Sequence, residues 1–172
     1  MLDYRGYAMR SIMMSAAALL AVMGSAAGAK EAPKPVVERT GVPTGVIAST
    51  ALVPAGAKIL YLSGGTASPL DPAKPEEFGD TTAQTKSILS KMKAQLEGMG
   101  WGMGDIVKMT VFLVGVPEKG GRMDAPAMNE VFKTYFGTAE QPNKPTRSTV
   151  QVAALGRPTT LVEIEAVAAK AP

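Results

Sequence analysis

The sequence predicts an α+β fold in which two helices pack on one face of a single sheet. Three observations lead there. β-type runs and amphipathic helical patterns follow one another in the order ββαβαββ, no segment repeats, and 172 residues that are 46% apolar make one domain with a sizeable core.

The elements follow in order. Residues 30–45, with Pro33, Pro35 and Pro43, read as an extended lead-in with a short edge strand at Val36-Val37. Val46 to Val53 and Lys58 to Ser63 are β-type runs around Pro54-Ala55-Gly56-Ala57, which predicts a hairpin. Gly64 to Gly79, rich in Pro, Gly and Asp, is a loop. Asp80 then caps a helix whose apolar residues Ile88, Leu89, Met92, Leu96 and Met99 lie on one side and whose end is marked by Gly98 and Gly100. Ile106 to Val116 is nearly all apolar and reads as a strand covered on both faces. After the loop Pro117 to Gly121, a second helix is expected at about 123–136, burying Met128, Val131, Phe132, Tyr135 and Phe136. Strands Thr146 to Ala153 and Thr160 to Ala168 flank the turn signal Gly156-Arg157-Pro158.

Residues 1–29 stand apart. Arg5 and Arg10 precede nineteen uncharged residues, Ser11 to Ala29, that end in the small-x-small pattern Ala27-Gly28-Ala29. This is the pattern of a secretory signal peptide, and its weakly apolar Ala, Ser and Gly content favours cleavage over a retained membrane anchor. The expectation is an exported protein, periplasmic or secreted, with no stable membrane association after cleavage. The remaining chain is residues 30–172, with the domain proper at 46–172.

The chain has neither cysteine nor histidine. That excludes disulfides, thiol nucleophiles, Ser-His-Asp triads and imidazole-ligated metals. Chemistry must run on carboxylates, Arg, Lys, hydroxyls, backbone groups and water, and no cofactor or metal is implied. The formal charge of +3 is spread along the sequence, so nucleic acid is not implied either.

Period-2 alternation sorts the last two strands into rows. Val162, Ile164, Ala166 and Ala168 form one, and Leu161, Glu163, Glu165 and Val167 the other; likewise Ser148, Val150 and Val152 separate from Arg147, Thr149 and Gln151. If the strands pair as a hairpin, Arg147, Thr149, Gln151, Glu163 and Glu165 share the face away from the helices. Two readings stand: cross-strand ion pairs on a wet face, worth about 0.2–1 kcal/mol each, or a half-apolar, half-charged subunit interface.

Pro145-Thr-Arg-Ser-Thr-Val-Gln-Val-Ala-Ala-Leu155 followed by Leu161-Val-Glu-Ile-Glu-Ala166 resembles the C-terminal signature of the reactive intermediate deaminase family, RidA or YjgF. Leu62-Ser63-Gly64-Gly65, Gly104 to Phe112, Met128-Asn-Glu-Val-Phe132 and Tyr135-Phe136 match in the same order, so the resemblance spans about 46–168. It implies a chorismate-mutase-like α+β domain with a mixed sheet, assembled as a homotrimer with ligand clefts between subunits. It implies hydrolysis of reactive enamines and imines, such as 2-aminoacrylate, to 2-keto acids and ammonium.

By the same resemblance, Arg147 clamps the carboxylate of the imino acid, a task suited to a guanidinium's paired donors. Glu163 orients the attacking water and relays its proton. Gly64 supplies an N–H to the ligand carboxylate, Thr149 places the water through its backbone carbonyl where relatives often have cysteine, and Asn129 lies near the cleft or caps the helix. Glu165 serves packing or charge balance. One stretch departs: relatives carry G-P-Y-[SV]-Q in the first strand, and here Gly45-Val-Ile-Ala-Ser-Thr50 puts Ile47 about where the tyrosine lid falls. The functional alternatives are therefore a deaminase, a non-catalytic binder of small carboxylates, and an interaction or holdase-type protein.

Overall fold

The computed structural model describes residues 36–172; the expected signal peptide and the first residues of the lead-in lie outside them. Seven strands and two α-helices follow in chain order among the described residues: β1 (Glu38–Thr40), β2 (Thr50–Leu52), β3 (Lys58–Thr66), α1 (Thr81–Gly98), β4 (Ile106–Val116), β5 (Arg122–Met123), α2 (Ala125–Phe132), β6 (Thr146–Val152) and β7 (Val162–Lys170).

Both helices start as their sequences dictate. Asp80 accepts a hydrogen bond from the Ala83 N–H at 2.8 Å, and Asp124 accepts one from the Ala127 N–H at 3.2 Å, so each carboxylate satisfies an otherwise orphaned amide. Past α1, Gly100 adopts φ +74°, a left-handed conformation that only glycine takes without strain. The second helix is shorter than the periodicity suggests: β5 takes its first residues, and α2 gives way after Phe132 to turns that run into Gly137.

The later strands form as expected, but the edge strand falls at Glu38–Thr40 and not at Val36-Val37, the run Val46 to Val53 is a strand only over Thr50–Leu52, and the pairing differs from the sequence reading. β2 pairs with β1, not with β3, so the expected hairpin is absent and β1–β2 is a separate two-stranded ladder. In the main sheet the order is β3, β7, β4, β6. β3 and β4 both run antiparallel to β7, and β6 runs parallel to β4. Thus β6 and β7 are not neighbours. A parallel β4–β6 pair needs a crossover, and α2 supplies it. The sheet is mixed and carries α1 and α2 on one face, as the fold class requires. β3 also runs past Ser63 to Thr66, with a bulge between Leu62 and Gly65 where the sequence suggests a loop.

The core lies between helices and sheet. Ile88, Leu89, Met92 and Leu96 of α1 and Met128, Val131 and Phe132 of α2 pack on Met109, Val111, Leu113, Val162, Ile164, Ala166 and Ala168. Burial along β4 alternates, so only one of its faces is fully covered. Leu161 sits just ahead of β7 and packs against this core, not on the face of Glu163. Gln84, fully buried on α1, fixes that entry: its amide donates to Gly79 O (3.0 Å) and Thr159 O (2.9 Å) and accepts from the Leu161 N–H (2.8 Å). All of its hydrogen-bonding capacity but one lone pair is used, which anchors the chain two residues before Glu163.

The other face of the sheet is open. Tyr61 is 78% exposed, Ile59 44% and Val150 42%, beside Val167, Lys108, Thr110, Glu163 and Glu165.

Candidate functional site

The register of β6 decides where Arg147 points. Arg147 pairs with Met109, Thr149 with Val111 and Gln151 with Leu113, and those three β4 residues face the helices. The row Arg147, Thr149, Gln151 is therefore on the helix side at the edge of the sheet, and Val150 and Val152 are on the open side. This reverses the sequence-based assignment. Alternation identifies two rows but not which one faces inward, and here the polar row tucks under the margin of the helix layer while the apolar row is left uncovered.

Under α2, Arg147 is held by three contacts. One terminal N–H group donates to Asn129 Oδ1 at 2.6 Å, the other approaches Met128 Sδ at 3.6 Å, and Cζ stands 4.3 Å from the centroid of the Phe132 ring. Asn129 thus acts on Arg147, and the helix cap is Asp124. Arg147 has no carboxylate partner within ion-pair distance among the described residues. Burial alone pushes its pKa down from the usual arginine value, although a guanidinium stays charged. A half-buried, unpaired cation with free N–H groups is a site prepared for an anion.

Next along the row, Thr149 Oγ1 is buried without a hydrogen-bond partner among the described residues. Gln151 is by contrast committed: its amide donates to Gly121 O and accepts from the Met123 N–H, both at 2.9 Å. An unsatisfied buried hydroxyl costs about 1–3 kcal/mol. Thr149→Val, which keeps the shape and removes the hydroxyl, is expected to leave stability unchanged or raise it by about 1 kcal/mol. Urea unfolding checks this, and a clear loss of stability would show that the hydroxyl is bonded.

Glu163 lies on the other face of the sheet, paired with Phe112 of β4 and Thr66 of β3. Its side chain folds back over Gly64 in the β3 bulge: a methyl group on Gly64 would come within 2.9 Å of Glu163 Cδ and would overlap Oε1. Gly64 and Glu163 are thus one unit, as Arg147 and Asn129 are another. The two units are on opposite faces, separated by β4, so the chain does not bring them together. Neither Glu163 nor Glu165 has a cation within ion-pair distance among the described residues, which removes the cross-strand ion pairs entertained from sequence. Glu165 instead lines an open-face cleft of about 240 Å³ with Tyr61, Lys108, Thr110 and Val167.

Ile47 is in the loop between β1 and β2, half-buried against the core. That loop is fastened just ahead of β6, with Lys144 Nζ donating to Pro43 O and Gly45 O (2.9 and 2.8 Å) and the Ala48 N–H donating to Pro145 O (3.0 Å). No phenol is available at Ile47. Two residues that touch Arg147, Met128 and Phe132, read from sequence only as core. The i, i+4 spacing is visible, but their contact with Arg147 needs the β6 register to be known.

A protein-family model described as Endoribonuclease L-PSP (Ribonuc_L-PSP) matches residues 48–170. A RutC family protein of Pyrococcus horikoshii is 38% identical over 112 residues, covering 64% of this chain and 79% of that protein. A 2-iminobutanoate/2-iminopropanoate deaminase of Escherichia coli K12 is 34% identical over 102 residues. That match covers 59% of this chain and 73% of the deaminase. Among solved structures, E. coli TdcF with bound serine superposes with a TM-score of 0.52 at 31% identity, covering 80% of this chain and all of TdcF.

Proposed function

The chain belongs to the Ribonuc_L-PSP family, which includes RidA and YjgF proteins, and from that premise we propose that it hydrolyses reactive 2-imino acids and their enamine tautomers to 2-keto acids and ammonium. The observation that carries this reading is Arg147, a half-buried guanidinium held by Asn129 and without a carboxylate partner among the described residues. An imino acid's carboxylate supplies the missing anion and accepts parallel N–H donors. Water then adds to the carbon of the protonated imine while Glu163 takes one of its protons and passes it to nitrogen; in the carbinolamine so formed the C–N bond breaks as Glu163 takes the hydroxyl proton and hands it to the departing ammonia, which leaves the keto group and ammonium.

Arg147 and Glu163 can serve one substrate only if different copies contribute them. We therefore propose a homotrimer in which Arg147 and Asn129 of one copy face Gly64 and Glu163 of the next. Two features support it: among the described residues neither charge has an ion-pair partner, and the open face presents Tyr61, Ile59 and Val150 with nothing over them.

Ile47 in place of the lid tyrosine favours a second reading, a carboxylate binder without turnover. One assay separates the two. An amino-acid oxidase generates 2-iminobutanoate in situ, and keto-acid release is followed with and without the purified protein. The deaminase reading expects saturable acceleration; a rate equal to buffer alone overturns it. The RNA cleavage in the family's description finds no support here, since the chain has no histidine for phosphodiester acid–base chemistry and its charge is dispersed.

A further inference from the structure

We infer that Phe132 is a positioning residue for the carboxylate clamp: its ring sets the plane of the Arg147 guanidinium and thereby how tightly a planar carboxylate is gripped. The inference rests on the reading of Arg147 given above and goes beyond it to a residue that touches no substrate.

Cζ of Arg147 lies 4.3 Å from the Phe132 centroid, a distance at which a cation is attracted by the ring face. A guanidinium lying on a ring directs its N–H groups outward in its own plane, which is the geometry that two parallel N–H···O bonds to a carboxylate require. The ring cannot turn aside. Phe132 is 1% exposed, and Phe136 stacks against it with centroids 4.5 Å apart at 30°.

The other contacts do not set that plane. Asn129 fixes a single N–H, and the Met128 thioether is a weak acceptor that competes little with a ligand oxygen. Met128, Asn129 and Phe132 share one turn of α2, so the support moves as a unit. A carboxylate in place of the aromatic ring would also orient Arg147, but it would neutralise the charge that the ligand needs. An aromatic face orients the cation and leaves it unpaired.

The test uses pyruvate as a monocarboxylate probe in calorimetry, and steady-state kinetics with 2-iminobutanoate. Phe132→Leu is expected to weaken pyruvate binding about tenfold and to raise KM by a similar factor, with kcat changed by less than about twofold. Phe132→Tyr, which restores a ring face, is expected to bind within about twofold of wild type. Circular dichroism and sedimentation confirm folding and assembly of each variant. Should the leucine variant not fold, Phe132→Met is read the same way. If Arg147→Ala loses pyruvate binding while folded Phe132→Leu or Phe132→Met binds as wild type, the positioning role is overturned and the clamp stands. If Arg147→Ala binds as wild type, or wild type binds no pyruvate, the clamp reading falls and the role of Phe132 falls with it.

Discussion

Mixing two inactive variants is expected to restore activity. Arg147→Ala removes the charged donors and should lower kcat/KM about 100-fold. Glu163→Gln removes the proposed proton relay and should lower kcat by about 10²- to 10⁴-fold. Arg147 is on the helix side of β6 and Glu163 on the open side of β7. A site shared between copies therefore needs Arg147 from one and Glu163 from its neighbour. In trimers reassembled from equal amounts of the two variants, each interface draws its two halves independently, and about one site in four carries both intact residues. Activity near a quarter of wild type is expected, against a background of a per cent or less for either variant alone. If co-refolded mixtures stay at the background of the separate variants while sedimentation shows mixed trimers, the two residues do not share a site across subunits.

Gly64→Ala should produce a protein that is folded and, on the deaminase reading, nearly inactive. The added methyl meets the Glu163 carboxylate and Cδ, which belong to a flexible side chain and not to backbone. The fold has an inexpensive escape, since Glu163 swings away, and alanine suits an extended strand better than glycine. Stability is expected to change by less than about 1 kcal/mol. Under the proposed mechanism catalysis has no such escape, because the displaced carboxylate is the group assigned to hold the water, and displacements of about 1 Å cost about 100-fold. Equal losses of melting temperature and activity would mean that Gly64 serves the fold alone.

Local features were legible in the sequence where neighbouring residues decide them. The Asp80 cap, the helical spacing from Ile88 to Leu96 and the glycine stop predict α1 nearly to its ends. Pairing was not legible, because β3 finds its partner in β7 about a hundred residues later, and a turn signal at Pro54 to Ala57 predicts reversal without naming the neighbour. Site residue types could be carried over from the resemblance, and the structure brings Gly64 to Glu163 and Asn129 to Arg147. Their division between two faces could not be read. Arg147, Thr149 and Gln151 look like a solvent-facing row, and only the parallel register with Met109, Val111 and Leu113 turns them inward.

The strand order has a consequence for how the protein is made. β7, the last strand in the sequence, lies in the interior of the sheet between β3 and β4, with Lys170 opposite Lys58. Until residues 162–170 leave the ribosome, β3 and β4 have no common partner and both helices have half a surface to rest on. Folding is consequently governed by distant contacts and slow beside that of a helical bundle of similar size. Up to that moment the edges of β3 and β4 that face β7 stay unpaired and open to other strands or to chaperones.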